Sequence, residues 1–212
     1  MSDMYQELKK EVQAGGVEKV KELITRALEG GAAPVEIIEK GLRPAMEEVG
    51  KKFETLEIFL PEMMMAADTM AAGVELLRPH MSAEDTSSTI GKIVLGTVQG
   101  DVHRIGKDIV RIMLEGAGFK VYDVGHDVAD ETFIENIKEV NPDILGMSAL
   151  MTTTMQNIPR VIEGIKSDNI RDRVKIIVGG APVLPDWAEE VGADGYGKTA
   201  VEAVNISKRL CG

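Results

Sequence analysis

The segment Gly100-Asp101-Val102-His103-Arg104-Ile105-Gly106 decides how the second half of this chain folds. The run Lys92-Ile93-Val94-Leu95-Gly96-Thr97-Val98 precedes it, and its β-branched residues predict a buried parallel strand. Apolar residues then recur at helical spacing from Ile105 to Met113, which predicts an amphipathic helix that ends at Gly116. An Asp and a His are therefore expected on a loop at the carboxyl end of a strand, where open α/β sheets bind ligands.

Asp101 and His103 are a plausible metal-binding pair by residue type and spacing. A histidine that binds a metal through one ring nitrogen usually donates its other N–H to a carboxylate. Gly106 would let the backbone approach a bulky ligand, because no Cβ stands in the way. A single loop histidine is more often a surface or capping residue, so the interpretation depends on the rest of the chain.

From Thr89 onward the chain alternates strand and helix patterns. The predicted strands are 90–98, 120–124, 144–148, 174–178 and a short one near 194–196, and the helices between and after them include about 130–140, 155–166 and 199–210. Asp130 is the expected N-cap of the first of these helices. Alternating βα units imply α/β architecture with right-handed crossovers, and the number of units indicates a five-stranded, flavodoxin-like (Rossmann-like) parallel sheet of order 2-1-3-4-5.

The first eighty residues carry helical patterns and no convincing strand. Gly30-Gly31 ends one helix, and Pro34, Pro44 and Pro61 are each expected to begin another, giving a bundle of four or five helices. The stripe expected on the last helix is Met64, Ala67, Ala71, Val74 and Leu77. The polar segment 81–88 is the predicted linker, which divides the chain into a helical unit, 1–88, and a sheet domain, 89–212.

Three motifs in register resemble those of the corrinoid proteins of methyltransferase systems and of the cobalamin domain of cobalamin-dependent methionine synthase. The first is Asp101-x-His103-x-x-Gly106, the second is Ser148-Ala149-Leu150, and the third is Gly179-Gly180. The segment Phe53 to Pro61 also resembles the helical cap of that family, so the resemblance covers nearly the whole chain.

The resemblance implies that the chain binds cobalamin or a related corrinoid, with His103 as the lower axial ligand of cobalt. Asp101 would orient His103, and Thr154 would extend the hydrogen-bonded series as its third catalytic member. Phe53 and Leu60 would shield the upper face of the corrin. The other cofactor contacts implied are Gly100, Val102, Arg104, Ile105, Gly106, Ser148, Leu150, Met151, Thr152, Gly179, Gly180 and Tyr196.

The resemblance further implies a methyl carrier. Such a protein accepts a methyl group on Co(I) from a substrate:corrinoid methyltransferase and passes it from methyl-Co(III) to a corrinoid:acceptor methyltransferase, whose acceptor is tetrahydrofolate or a thiol coenzyme. A reductive activation protein would be a third partner. The chain is too short to hold a substrate barrel as well, so it resembles a corrinoid subunit of a multi-component system.

Charge and cysteine content restrict the partners and the compartment. The net charge of −11 and the pI near 4.8 argue against nucleic acid and anionic membranes as partners. No apolar run approaches the ~18 residues of a membrane span, and the N-terminus carries no signal-like segment. A single cysteine, Cys211, fits a reducing cytoplasm.

Two other function classes share some of these features. A cobalamin-dependent sensor would need a basic DNA-binding module, which the acidic N-terminal region does not offer. A flavin-binding or phosphoacceptor domain would explain the sheet but not the series His103, Ser148 and Gly179. A visible absorption spectrum separates the corrinoid hypothesis from flavin binding.

Overall fold

The computed structural model describes residues 2–81 and 89–212. The backbone forms two compact units, one within Met1–Thr89 together with Gly116–Gly118, and one made of Ile90–Glu115 and Phe119–Gly212. The predicted linker, 81–88, lies outside the described residues except for Met81. Within residues 2–81 and 89–212, no helix is both long and apolar enough to span a membrane.

The first unit is helical, as predicted. Its helices are α1 Ser2–Ala14, α2 Val17–Glu29, α3 Pro34–Ile37, α4 Arg43–Glu54 and α5 Leu60–Leu77, with a π-helical turn at Ile38–Leu42 and a 3₁₀ turn at Arg78–His80. Pro44 lies in the first turn of α4, as predicted for a proline that begins a helix. The chain is not interrupted before it, however, because α3 continues through the π-helical turn into α4.

The apolar stripe predicted for α5 is on the wrong face. The buried face contains Met63, Ala66, Met70, Gly73 and Leu77, whereas Met64 is 47% exposed. Three consecutive methionines are equally apolar, so the sequence pattern alone could not choose among them. Gly73 determines which face of α5 packs against α2, because a Cβ there would come within 3.0 Å of Ile24 and 3.3 Å of Val20.

Leu56, in the connection between α4 and α5, adopts a left-handed conformation with φ of 61° and is 74% exposed. A side chain in that region costs about 1–2 kcal/mol, partly offset by the greater backbone entropy that glycine loses on folding. Leu56→Gly is therefore expected to raise the free energy of unfolding by about 0.5–1 kcal/mol, measured by urea denaturation. Leu56→Ala keeps the strain and should change stability little; equal values for the two variants would contradict the assignment.

The second unit contains the expected parallel sheet. Its strands are β1 Lys92–Val98, β2 Lys120–Val128, β3 Ile144–Ser148, β4 Lys175–Gly179 and β5 Gly195–Gly197, and its helices are α6 Ile105–Gly116, α7 Asp130–Val140, α8 Asn157–Ser167, α9 Pro185–Glu190 and α10 Ala200–Cys211. The strand order is β2-β1-β3-β4-β5, and every pairing is parallel. The predicted flavodoxin-like order is thus confirmed.

The apolar pattern of the strands accounts for the core of the second unit. Buried residues of β1, β3 and β4 pack with Phe133 of α7 and with Val161, Ile162 and Ile165 of α8. Phe133 also explains Gly96, because a Cβ on Gly96 would lie 2.6 Å from the phenyl ring. The core thereby fixes the two loops that leave the carboxyl ends of β1 and β3.

Two local expectations in the second unit are wrong. The N-cap of α7 is Ala129, whereas Asp130 is the first helical residue and pairs with Arg160 at 3.0 Å. β2 continues four residues beyond its predicted end, so that His126 lies within the strand and is exposed.

Candidate functional site

The carboxyl ends of β1 and β3 form the candidate site. These strands are neighbours, and the chain leaves β1 toward β2 on one side and β3 toward β4 on the other. A strand order that reverses in this way opens a crevice in which open α/β sheets bind ligands. The loop that carries Asp101 and His103 follows β1, and the loop of Leu150 to Thr154 follows β3.

Asp101 joins the two loops through five hydrogen bonds. Its Oδ1 accepts from the backbone N–H of His103 at 3.0 Å and lies 2.8 Å from the His103 Nδ1. Its Oδ2 accepts from the backbone N–H groups of Leu150, at 2.7 Å, and Met151, at 3.3 Å, and from the Thr154 hydroxyl at 2.7 Å. Asp101 is completely buried, so the series His103–Asp101–Thr154 is built around an enclosed carboxylate.

The enclosure keeps Asp101 ionised and determines that the His103 Nδ1 carries a proton. Burial raises the pKa of Asp101, but the hydrogen bonds from Thr154, Leu150 and His103 together lower that pKa below its ordinary value. An ionised carboxylate can only accept hydrogen bonds, so the His103 Nδ1 must carry a proton in this contact. The neutral imidazole then has its free lone pair on Nε2, the nitrogen that can bind a metal.

His103 is accessible and is flanked by apolar side chains. Its side chain is 48% exposed although the carboxylate behind it is buried. Large apolar residues of the same two loops and of the first position of α6 are also exposed: Val102 at 62%, Ile105 at 68%, Leu150 at 45% and Met151 at 37%. An imidazole among exposed apolar groups suits a large ligand that combines a metal with apolar surface.

Gly106 lies in the first turn of α6, where the packing of the chain does not require a glycine. A Cβ built there has no heavy atom within 4 Å. The open space at Gly106 is thus consistent with a ligand that comes close to the backbone, as the sequence suggested.

Gly106→Ala tests whether a glycine is needed at this position for ligand binding or for the stability of the fold. Because Ala is the better helix former, the variant without ligand should be as stable as the wild type or more stable by about 0.5 kcal/mol. Its affinity for the ligand should fall, since the methyl group takes the free space. Thermal unfolding and equilibrium binding measure the two effects; unchanged binding would show that no ligand approaches Gly106.

Gly179 and Gly180 are explained by the chain's own backbone. A Cβ on Gly180 would lie 1.8 Å from the Ala149 carbonyl oxygen, and one on Gly179 would lie 2.8 Å from the Gly197 carbonyl oxygen. The resemblance had implied that these glycines are cofactor contacts. In the structure, Gly179 allows β4 to approach Gly197 of β5, and Gly180 allows the loop after β4 to touch Ala149. The 3.1 Å bond from the Ala149 N–H to the Gly179 carbonyl reinforces the second contact.

Other residues implied by the resemblance occupy several places. Ser148 ends β3 opposite Gly179, and Thr152 is exposed in the next loop. Arg104 is exposed and lies 3.9 Å from Asp108, while Tyr196 packs against the core from β5. Gly100 has a φ of 80° at the start of the Asp101 loop. In the first unit, Phe53 is half-buried on α4 and Leu60 is half-buried at the first residue of α5.

Sequence reasoning missed four residues that support the Asp101 loop. The Thr97 hydroxyl donates to the His103 carbonyl at 3.2 Å, and the Asn157 amide donates to the Gln99 carbonyl at 2.7 Å. Buried Lys107 is 2.6 Å from both Asp123 carboxylate oxygens and thereby ties α6 to β2. Asp127 contacts the loop from β2. Thr97 and Lys107 lie close in sequence to the motif Asp101-x-His103-x-x-Gly106, which is the signal that could have identified them. Asn157 and Asp127 are distant in sequence and reach the loop only in the folded chain.

Known proteins share this architecture and much of this sequence. A family model described as a B12 binding domain matches residues 91–205, and another with the same description matches residues 4–78. The dimethylamine corrinoid protein 2 of Methanosarcina acetivorans is 50% identical over 99% of this chain and 94% of its own length. The trimethylamine corrinoid protein 1 of Methanosarcina mazei is 49% identical over 90% of this chain and 89% of its own.

A solved structure is similar in both units. It is the methanol:cobalamin methyltransferase complex of Methanosarcina barkeri, in which the matching chain has a TM-score of 0.88 and 31% identity. The match covers 99% of this chain and 80% of that one.

Proposed function

Because this chain belongs to the B12-binding corrinoid proteins, we propose that it carries a methyl group on the cobalt of a bound corrinoid, between two methyltransferases. A substrate-specific methyltransferase would load the methyl group, and a second methyltransferase would remove it for an acceptor such as tetrahydrofolate or a thiol coenzyme. A reductive activation protein is the third partner in the proposal. Both curated relatives are named for methylamines, so methylated amines are the proposed methyl donors.

The hydrogen-bonded series of His103, Asp101 and Thr154 is the single observation that carries the proposal. The bound corrinoid supplies a cobalt that takes up and releases the methyl group. His103 would reach that cobalt with Nε2, while Asp101 holds the proton on Nδ1 and so keeps the ring in the coordinating tautomer. Thr154 and the backbone N–H groups hold Asp101 ionised and in place.

The other expected contacts belong to the same proposal. The exposed apolar residues Val102, Ile105, Leu150 and Met151 would cover part of the corrin, and Gly106 would leave room for it. The remaining members of the proposed cofactor-binding set are Gly100, Arg104, Ser148, Thr152, Gly179, Gly180, Tyr196, Phe53 and Leu60. The proposal also divides the chain into a helical cap, 1–88, and a corrinoid-binding domain, 89–212, and the two family matches support that division.

His103→Ala tests the proposal after reconstitution with cobalamin. The wild type in the Co(II) state should show an electron paramagnetic resonance signal split by one axial nitrogen, and the variant should lose this splitting while it still binds corrinoid. His126→Ala is the matched control, because His126 is another exposed histidine of the same unit. Because the benzimidazole of cobalamin is also a nitrogen donor, the protein is labelled with ¹⁵N-histidine, and a wild-type splitting that the label does not change would remove His103 from the cobalt.

The methyl-carrying role needs a separate measurement. The reconstituted protein is mixed with a methylamine:corrinoid methyltransferase and a panel of mono-, di- and trimethylamine, and methylation of the corrinoid is followed by absorption. Methylation with at least one amine is expected. A protein that binds corrinoid with His103 yet is methylated with none of these amines would contradict the proposed donor class.

A further inference from the structure

Strand β2 departs from regular pairing as it approaches the candidate site. Leu95 of β1 is opposite Asp123, Gly96 is opposite Gly125, and Val98 is opposite Val128. β2 therefore contains one extra residue in each of the two steps. Such bulges bend a strand and occur frequently next to active sites, where they redirect a side chain.

Asp127 lies in the second irregular step and contacts the loop that carries Asp101. Its Oδ1 accepts from the Gly100 N–H at 2.6 Å, and its own N–H donates to the Asp101 carbonyl at 2.9 Å. Its φ is 53°, in the left-handed region that a residue other than glycine adopts at a cost. The bulge and the strained conformation together direct both polar groups of Asp127 toward two consecutive residues of the loop.

These two bonds complete the support of the loop. The Asp101 carboxylate is held by the loop after β3, and the His103 carbonyl is held by the Thr97 hydroxyl. At the start of the loop, the Asn157 amide donates to the Gln99 carbonyl at 2.7 Å and the Asp101 N–H donates to the Val98 carbonyl at 3.1 Å. Gly100 lies between these two points, is exposed and has a φ of 80°, and its N–H donates to Asp127.

We propose that Asp127 is a positioning residue for His103. The two hydrogen bonds of Asp127, to the Gly100 N–H and to the Asp101 carbonyl, are called the clasp here, and they fix the direction in which the imidazole reaches the cobalt. The inference rests on the proposed function, since it concerns the alignment of a cobalt ligand. Groups that orient a metal-binding histidine typically affect metal affinity or activity 10–100-fold when they are removed. Loss of the clasp is therefore expected to lower the equilibrium constant for coordination by His103 about tenfold.

Two substitutions separate the side-chain bond from the backbone strain. Asp127→Gly removes the acceptor and at the same time relieves the left-handed strain. Asp127→Asn keeps a carbonyl oxygen for the Gly100 N–H and tolerates the left-handed conformation. If the Asp127 side chain aligns the loop, only Asp127→Gly should weaken the coordination of cobalt by His103.

Asp143 provides a matched control at the opposite end of β1. Its Oδ2 accepts from the Lys92 N–H at 2.7 Å, and its own N–H donates to the Lys92 carbonyl at 2.9 Å. Asp143→Gly thus removes the same kind of side-chain acceptor from the same strand, away from the ligand loop, and keeps the backbone bond, as Asp127→Gly does. It should lower stability without changing the coordination of cobalt.

The protein and its variants, labelled with ¹⁵N-histidine, are reconstituted with cobalamin, and the fraction of Co(II) with a splitting from the labelled axial nitrogen is measured. Wild type, Asp127→Asn and Asp143→Gly should show the same fraction, whereas Asp127→Gly should show about tenfold weaker coordination by His103. A wild-type fraction in Asp127→Gly, or an equal loss in Asp143→Gly, overturns the inference and leaves the proposed function intact. Absence of the splitting in the wild type overturns both.

A measurement on the cofactor-free wild type tests the clasp even if a variant does not fold. In the wild-type protein the amide hydrogens of Gly100 and Asp127 should exchange at least about tenfold more slowly than in an unstructured chain, because each is hydrogen-bonded although both residues are exposed. Rapid exchange at both amides overturns the clasp.

Discussion

Asp101→Asn is expected to lower the free energy of unfolding by about 2–4 kcal/mol in the cofactor-free protein. Five groups donate hydrogen bonds to the Asp101 side chain, and an ionised carboxylate can accept all five. An asparagine of the same shape replaces one carboxylate oxygen by an NH₂ group, which leaves buried donors facing a donor. Thr154 can redirect its hydroxyl to the Met151 carbonyl at 3.0 Å, but the backbone N–H groups cannot.

Thr154→Val is the matched control for Asp101→Asn. It removes one of the five bonds and keeps the carboxylate charged, so a loss of about 1 kcal/mol is expected. Urea denaturation of the two variants and the wild type measures the difference. Equal losses would show that the charge of Asp101 contributes nothing beyond a single hydrogen bond.

The effect of Asp101→Asn should depend on pH in a defined direction. The folded-state pKa of Asp101 lies below its unfolded-state value, which is about 3.9. The stabilisation is therefore complete above that unfolded value and is lost as the pH falls toward the lower pKa of the folded state. The difference in stability between wild type and variant should be constant from about pH 5 to 7 and should narrow below about pH 4.

The same substitution should impair the proposed methyl transfer. An amide cannot enforce the proton on the His103 Nδ1 as an ionised carboxylate does, so the ring loses its preference for the coordinating tautomer. Transfer rates about 10–100-fold below wild type are expected at saturating corrinoid. Wild-type rates and a wild-type Co(II)/Co(I) potential would argue against the role assigned to Asp101.

Gly180→Ala should be the more disruptive substitution, with a loss of about 4 kcal/mol or more. Its methyl group would lie 1.8 Å from the Ala149 carbonyl oxygen and 2.8 Å from the carbonyl carbon, both of which are backbone atoms. The φ of 120° adds the strain of a conformation that side chains rarely adopt. A loss of this size is a large part of the 5–15 kcal/mol by which domains are stable.

Gly125→Ala isolates the backbone strain from the collision. Gly125 also has a positive φ, 96°, but a Cβ there meets no heavy atom within 4 Å. A loss of about 1–2 kcal/mol is expected for Gly125→Ala, and the difference between the two variants measures the clash with Ala149. If thermal unfolding showed the same loss for both, the contact between the loops after β3 and β4 would not be as close as described.

The sequence by itself determined the fold class and the place of the candidate site. Alternating apolar runs and amphipathic helices predict parallel βα units, and the handedness of such units leaves few strand orders. Because polar residues that follow a strand must lie at its carboxyl end, Asp101 and His103 could be placed at the sheet edge from local pattern alone. The motif resemblance then added the cofactor, which no periodicity reveals.

The tertiary structure decided which groups surround each of these residues. Leu150, Met151 and Thr154 reach Asp101 from 49 to 53 positions along the chain, and only the adjacency of β1 and β3 brings them there. Similarly, the clasp of Asp127 needs the bulges of β2.

Packing also decided details that local patterns leave degenerate. Gly73 against Ile24 selected which of the consecutive methionines of α5 is buried, and the contact with Ala149 explained Gly180. Side-chain periodicity records that a residue is apolar or small, but not which neighbour it meets. That information arises only when distant segments pack, since close packing leaves no space for a second arrangement.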